Sequence, residues 1–331
     1  MLRQSVALTV LLGLILFLSP LTRLPVGGGV GAQDSAPPPE PAEAVGGDRE
    51  TKLLVEVDGA IEELCLADYL VGVVAAEMPA SFELEALKAQ TTAARTYALY
   101  QMAQGSAGKH GGGAALCDDP ACCQAYLPEA RLRQSWGDAA EEKLEKLRAA
   151  ETATDGMAIL YGGAPILAAF HSSSADGTED AAAAWSASVP YLQRVESPES
   201  EATVPNYRST VSFTEEEFRQ IFLAAKPEAQ LGGDAADWIK DLTRDSSGYV
   251  SSVSVGGVTM RGVELRRLLG LRSACFHVTA ADGLLTFTTQ GYGHGVGLSQ
   301  YGANALAQEG KTWQEILQWY YTGVSIERYV P

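Results

Sequence analysis

The chain has 331 residues, 46% hydrophobic and 20% charged, a balance that builds a globular core and excludes a wholly disordered protein. Its 24 Lys+Arg against 41 Asp+Glu leave −17 at pH 7. That excludes a nucleic-acid binder, which needs a basic face, and a surface held to anionic lipid by charge alone. Five Cys are too few for a disulfide scaffold, yet three of them fall between Cys117 and Cys123.

The N-terminal stretch reads as targeting rather than fold. Arg3 precedes an apolar run from Val6 to Leu21. A basic start and an apolar centre make an export signal. Two readings fit: a signal cleaved near Val30-Gly31-Ala32, or an uncleaved anchor. The next Cys is Cys65, which argues against a lipoprotein anchor at this end. Residues 26–50 are Gly, Pro, Ala and acid, and read as an extended spacer. The expected organisation is a signal or anchor at 1–25, a linker at 26–50 and a folded region at 51–331. The working domain is expected outside the cytoplasmic membrane.

The first dense block runs from Ala67 to Gln104. LADYLVGVVAAEM is helix-like and stops at Pro79. Ser81 is expected to open a second helix, with Glu83 and Glu85 in its first turn. Leu84, Leu87, Thr91, Ala94 and Ala98 recur at helical spacing and predict its buried stripe. Lys88 and Arg95 are seven apart and share one face. Glu77 sits among small apolar neighbours just before the break. A carboxyl with little water around it holds a proton near neutral pH, as a general acid must. The competing reading is a Glu at a helix end that points to solvent.

The Cys-rich segment follows. His110, Cys117, Cys122 and Cys123 offer imidazole and thiolates on a Gly/Asp/Pro loop. Borderline-soft zinc takes that donor set in a tetrahedron. Four protein ligands leave no open position, so the expected role is structural. A Cys117–Cys122 or Cys117–Cys123 disulfide is the alternative.

The second block, Gly162 to Pro198, carries Phe170-His171-Ser172-Ser173-Ser174, Thr178-Glu179, Trp185 and Tyr191. A strand is expected to end near His171. No Gly-x-Ser-x-Gly elbow surrounds the Ser residues, which argues against a serine hydrolase. Polar and aromatic loop residues of this kind suit sugar binding. Between Ser209 and Phe287 the pattern predicts a helix pair and then strands at 249–255, 258–260, 274–278 and 284–288. These form a possible inserted α/β subdomain at 209–288.

The third block, Gly291 to Gly302, has Gly at every second position in its first half. That permits positive φ and close backbone approach. A phosphate loop lacks its Gly-Lys-Ser/Thr here. Ser299 is expected to cap a short helix ending at Gly310. Thr312 and Glu315 form a capping box for a last helix, Trp313 to Tyr321. The fold class is α+β, with mixed helices and antiparallel strands.

Three stretches resemble the SpoIID/LytB family, in the family's order. They are YLVGVVAAEMPASFELEALKAQTTAARTYAL, HSSSADGTED with WSASVPYLQRVESPES, and GYGHGVGLSQYGANALAQEGKTWQEILQWYYTG. They span residues 69 to 323. His110, Cys117 and Cys123 match the zinc loop of some members, with Cys122 standing where those have a second His. The run Ala181 to Ala184 departs from the family, where polar residues are usual. Shared chemistry does not make a lysozyme-like fold the expectation.

The resemblance implies a peptidoglycan lytic transglycosylase active in engulfment during sporulation. It would cut between N-acetylmuramic acid and N-acetylglucosamine in denuded strands and leave 1,6-anhydro ends. Glu77 matches the catalytic Glu. The substrate-binding candidates are Lys88, Gln90, Arg95, Tyr97, His171, Ser172, Ser173, Tyr191, His294, Gln300 and Tyr301. Lys88 and Arg95 either contact the lactyl carboxylate or lower the pKa of Glu77; the first is favoured. The implied partners are the sporulation amidase stage II protein P and the membrane protein stage II protein M. The rival classes are a non-catalytic peptidoglycan scaffold or amidase enhancer, and a zinc hydrolase built on the Cys loop.

Overall fold

The computed structural model describes residues 47–104, 110–185, 187–329 and 331. The expected signal segment and most of the spacer lie outside these residues. Among the described residues, no helix is long and apolar enough to cross a membrane.

A hairpin opens the fold: β1 (Lys52–Val57) pairs antiparallel with β2 (Ala60–Cys65). Asp58 and Gly59 between them both have positive φ, the backbone that a two-residue hairpin of this twist needs. Strand β2 runs directly into α1 (Leu66–Glu77), and the Asp68 N–H donates to Cys65 Sγ. Met78 is extended and Pro79 follows, so α1 stops at Glu77. Helix α2 (Leu84–Ala103) begins later than Ser81, with Glu83 as its cap residue. Ser81 lies in a turn closed by the Phe82 N–H on the Pro79 carbonyl, which holds it out of the helix. Leu87, Thr91, Ala94 and Ala98 are buried as their spacing predicts, whereas Leu84 is exposed.

Strand β3 (Leu116–Cys117) adds to β1 in parallel. Helices α3 (Glu129–Trp136) and α4 (Ala140–Ala153) lead to β4 (Met157–Tyr161), β5 (Ala164–Pro165) and β6 (Phe170–His171). The Ala-rich insert forms a short helix, α5 (Ala181–Trp185). Next come β7 (Arg208–Thr214), α6 (Glu215–Ala225), β8 (Ile239–Arg244), β9 (Val250–Val255), β10 (Val258–Met260), α7 (Gly262–Leu269), β11 (Phe276–Ala281) and β12 (Leu284–Gln290). The expected helix pair is thus one helix ahead of the strands, with α7 placed between them. The chain closes with β13 (Leu298–Ser299), α8 (Gln300–Gln308), α9 (Trp313–Tyr320) and β14 (Ser325–Arg328), which pairs back onto β4. Both caps read from sequence form: Ser299 accepts from the Gly302 N–H, and Thr312 and Glu315 close a capping box.

The elements pack around separate apolar clusters. The larger joins faces of α1, α2, α4, α8 and α9, with Leu87, Leu147, Ile316 and Tyr320 buried in it. Another lies between residues 218 and 287, where Phe218 stacks on Phe222, Trp238 and Phe287. The fold is α+β.

The folded unit starts earlier than composition suggests. Asp48 is buried and pairs with Arg95 of α2, so the last residues of the expected linker belong to the core.

Candidate active site

Small side chains along α1 let it pack closely, so its last residue, Glu77, ends half-buried. Its Oε1 accepts the Ala125 N–H at 2.9 Å and its Oε2 accepts the Gln300 side-chain amide at 3.1 Å. Burial pushes the Glu77 carboxyl above the ordinary carboxylate range, and these two donors pull it back. Neither Lys88 nor Arg95 contributes to that balance. The carboxyl opens onto a hollow of about 400 Å³ lined by Ala76, Met78, Pro79, Ser81, Trp136 and Lys143, among others.

The second and third motif stretches meet as a parallel pair, with Leu298 opposite Phe170 and Ser299 opposite His171. The glycine alternation serves this contact. A Cβ on Gly293 would stand 2.7 Å from that of His171, and one on Gly297 would strike the Ala169 carbonyl. The pairing places Ser299 at the start of α8 and so sets Gln300 against Glu77. His171 is buried; its Nδ1 bonds to the Val296 carbonyl at 3.2 Å and its Nε2 to Ser174 Oγ at 2.8 Å. Nδ1 therefore carries the hydrogen and Nε2 accepts from the hydroxyl. Burial holds His171 far below the ordinary histidine range. His294 lies 5.6 Å from the His171 ring and 5.4 Å from Trp185, and burial pushes it down to about 4. Both are neutral at physiological pH and act as hydrogen-bonding and packing groups.

Glu199 ties these stretches together and is not legible as a site residue in the sequence. Its buried Oε1 accepts the Ser174 N–H at 2.5 Å and the Ser299 hydroxyl. Its Oε2 has no partner among the described residues. Gly302 must lack a side chain here, because a Cβ would collide with Tyr320 Oη, Ser197 Oγ and Glu199 Oε2.

The remaining sequence candidates separate. Lys88 pairs with Glu85 at 2.6 Å, while the other oxygen of Glu85 accepts the Trp313 N–H. Arg95 has no exposure at all. It donates from Nε and Nη2 to Asp48 and from Nη1 to the Met157 carbonyl, so it faces the core and not a ligand. Gln90 is likewise fully buried, and neither atom of its amide has a partner among the described residues. The helix periodicity that put these side chains on named faces did not reveal that α2 is covered on nearly every side. Tyr97 lies half-buried beside Cys123. The Tyr191 hydroxyl accepts the Leu167 N–H at 3.0 Å. Ser173 is buried and pairs by backbone with Tyr292. The Ser172 carbonyl accepts the Tyr301 N–H, and the Tyr301 ring meets Phe82 edge-on at 5.0 Å.

The loop candidates converge. His110, Cys117, Cys122 and Cys123 place ligand atoms within 4.8 Å of one another. Cys123 Sγ lies 3.4 Å from His110 Nε2, and the cysteines are free thiols. Zinc bonds of about 2.0–2.3 Å hold tetrahedral ligand atoms roughly 3.3–3.8 Å apart, a modest contraction of this cluster, and one imidazole with three thiolates suits the ion. The turn that makes adjacent ligands feasible is set by Asp119, whose carbonyl accepts both the Cys122 and Cys123 N–H groups.

A family model described as "SpoIID: Stage II sporulation protein" matches residues 57–161. Stage II sporulation protein D of Bacillus subtilis (strain 168) is 41% identical over 268 residues, covering 81% of this chain and 76% of that protein. The chain belongs to the SpoIID family. The Bacillus amyloliquefaciens protein of the same name is 40% identical over 268 residues, 81% of this chain and 75% of that one. A protein named amidase enhancer, from Bacillus subtilis (strain 168), is 27% identical over 307 residues, 78% of this chain and 40% of its own length.

The matched region of this SpoIID-family chain contains Glu77, the His/Cys loop and the Trp136–Lys143 wall of the hollow. Ala125 and Glu199 carry no sequence signal of their own. The first acts through its backbone, and the second is one acid in a run of acids.

Proposed function

We propose that the chain is a peptidoglycan lytic transglycosylase that cuts between N-acetylmuramic acid and N-acetylglucosamine in denuded strands. The observation that carries this is the half-buried carboxyl of Glu77, raised by burial and the one carboxyl among the described residues that line the hollow. An ordinary glycosidase divides its work between two carboxyl groups. Here the C6 hydroxyl of the sugar is the nucleophile, so one carboxyl suffices. Protonated Glu77 gives its proton to the glycosidic oxygen as that bond breaks. The C6 oxygen attacks the anomeric carbon, and the Glu77 carboxylate takes the C6 proton, which restores the acid. The Ala125 N–H and the Gln300 amide keep the carboxylate form accessible for the second half of the cycle. The intramolecular attack supplies part of the rate.

The His110/Cys117/Cys122/Cys123 loop would hold a structural zinc ion, which supplies a crosslink rather than chemistry. Ala125 lies two residues past Cys123, so this loop sets the N–H that orients Glu77. The activity belongs outside the cytoplasmic membrane, with Val6–Leu21 as anchor or cleaved signal. Stage II protein P, as the denuding amidase, and stage II protein M are the proposed partners. The likeness to a protein named amidase enhancer favours one second reading, a scaffold that binds glycan without cutting it. Incubation with denuded glycan and mass spectrometry of the products decides between them. Wild type is expected to yield anhydro-ended fragments and Glu77→Gln none; a folded Glu77→Gln that still cuts would remove Glu77 from the role.

A further inference from the structure

The far wall of the Glu77 hollow lies outside the three motif stretches. Trp136, the last residue of α3, and Lys143, in the first turns of α4, both line it. Both are partly exposed. Lys143 Nζ stands over the Trp136 ring, 5.0 Å from its centroid, so a cation–π contact holds the ammonium and the indole together in one wall of the hollow. Neighbouring cations on these helices are engaged elsewhere. Arg133 and Arg148 share Glu129 and Glu141, and Lys146 donates to the Phe82 carbonyl at 2.5 Å. Lys143 makes no ion pair among the described residues. It is the one basic side chain among the described residues that line the hollow.

The chemistry of this pair selects a ligand class. An indole beside a general acid stacks on the apolar face of a pyranose. An ammonium at the edge of that ring needs an anion on the same sugar. Muramic acid carries one on its lactyl ether, but only after the stem peptide is gone, because the peptide turns that carboxyl into a neutral amide. The net charge of −17 repels an anionic strand at long range, so a local cation is required. The two cations read from the helix face do not meet the need: Lys88 is paired with Glu85 and Arg95 is buried.

We propose that Trp136 and Lys143 form a saccharide subsite beside Glu77, the ring stacking on the sugar and the ammonium pairing with the lactyl carboxylate of a peptide-free N-acetylmuramic residue. The inference rests on the transglycosylase reading and names what makes that site select denuded strands.

Calorimetry on the full chain tests it. The background is Glu77→Gln, which stops turnover. The probes are a denuded glycan oligosaccharide and chitohexaose, which has the acetylated sugars but no lactyl group. Lys143→Met is expected to weaken the denuded ligand about tenfold, as loss of one charge-assisted contact does, and to leave chitohexaose within about twofold. Lys143→Arg restores the preference, and Trp136→Leu weakens both ligands. Melting curves check that each variant folds, and the half-exposed Lys143 keeps the test alive if Trp136→Leu does not fold. Equal affinity of wild type and Lys143→Met for the denuded ligand, or equal weakening of both ligands, overturns the subsite. Binding that depends on Lys143, with no anhydro product from the Glu77 enzyme, supports the subsite and overturns the transglycosylase reading alone.

Discussion

Replacing Arg95 with Met separates a buried structural role from a ligand-facing one. Arg95 and Asp48 are 0% and 3% exposed at their side chains, so water does not screen them. Removing one partner of such a pair costs about 3–5 kcal/mol, because the other charge stays buried without compensation. At about 2–4 °C per kcal/mol for a domain of this size, melting should fall by roughly 6–20 °C. The loss should grow with pH. Asp48 sits with Glu151 and Asp155, their oxygens within 4.8 Å of one another. Burial first, and the Asp48 charge second, push Glu151 up to about 7 from an ordinary 4.5, while Arg95 pulls it down. The folded state therefore holds a proton that the unfolded chain releases above 4.5, and this group costs stability as pH rises through that window. Without Arg95 the Glu151 pKa climbs and the decline extends above 7. Thermal melts at pH 5 and pH 8 should show the larger deficit at pH 8. Glycan binding well below the melting temperature should be retained. An unchanged melt with lost glycan affinity would refute the buried placement and return Arg95 to the binding surface.

Gln300→Leu removes a hydrogen bond that favours the Glu77 carboxylate, so the Glu77 pKa should rise further; the alkaline limb of kcat/KM should move up by about one pH unit, and an unmoved limb would dismiss Gln300 as a tuning group. Glu199→Ala should destabilise the fold by about 3 kcal/mol and lower kcat through loss of the Ser299 anchor, while Glu199→Gln recovers most of both; full activity in Glu199→Ala would show that α8 needs no such anchor. Native mass spectrometry should find one zinc per chain, lost in Cys117→Ser, and chelation should lower both melting temperature and turnover. A Cys117–Cys123 disulfide in the purified protein, with no metal, would contradict that assignment.

Local grammar survives folding where one segment settles the matter alone. Pro79 ends α1 beside Glu77, Ser299 and Thr312 cap their helices, and the strands of β9 to β12 fall close to their alternation pattern. Glu77 is also legible, because small apolar neighbours in sequence become its dry surroundings in space. Burial of a long polar side chain is different. Spacing puts Lys88 and Arg95 on one face of α2, yet Asp48, from far along the chain, covers Arg95. Ser81 has the chemistry of a cap but lies in a turn that leaves it outside the helix.

By itself the sequence determined the α+β class and the family, and it singled out Glu77 and the cysteine–histidine set as candidates, since these depend on residue type and near spacing. Only the tertiary structure decided which cations reach the hollow, which N–H groups hold Glu77, and that Glu199 joins two distant motifs. Those outcomes turn on contacts between segments far apart in the chain, where burial and charge pairing are settled by packing rather than by neighbours in sequence.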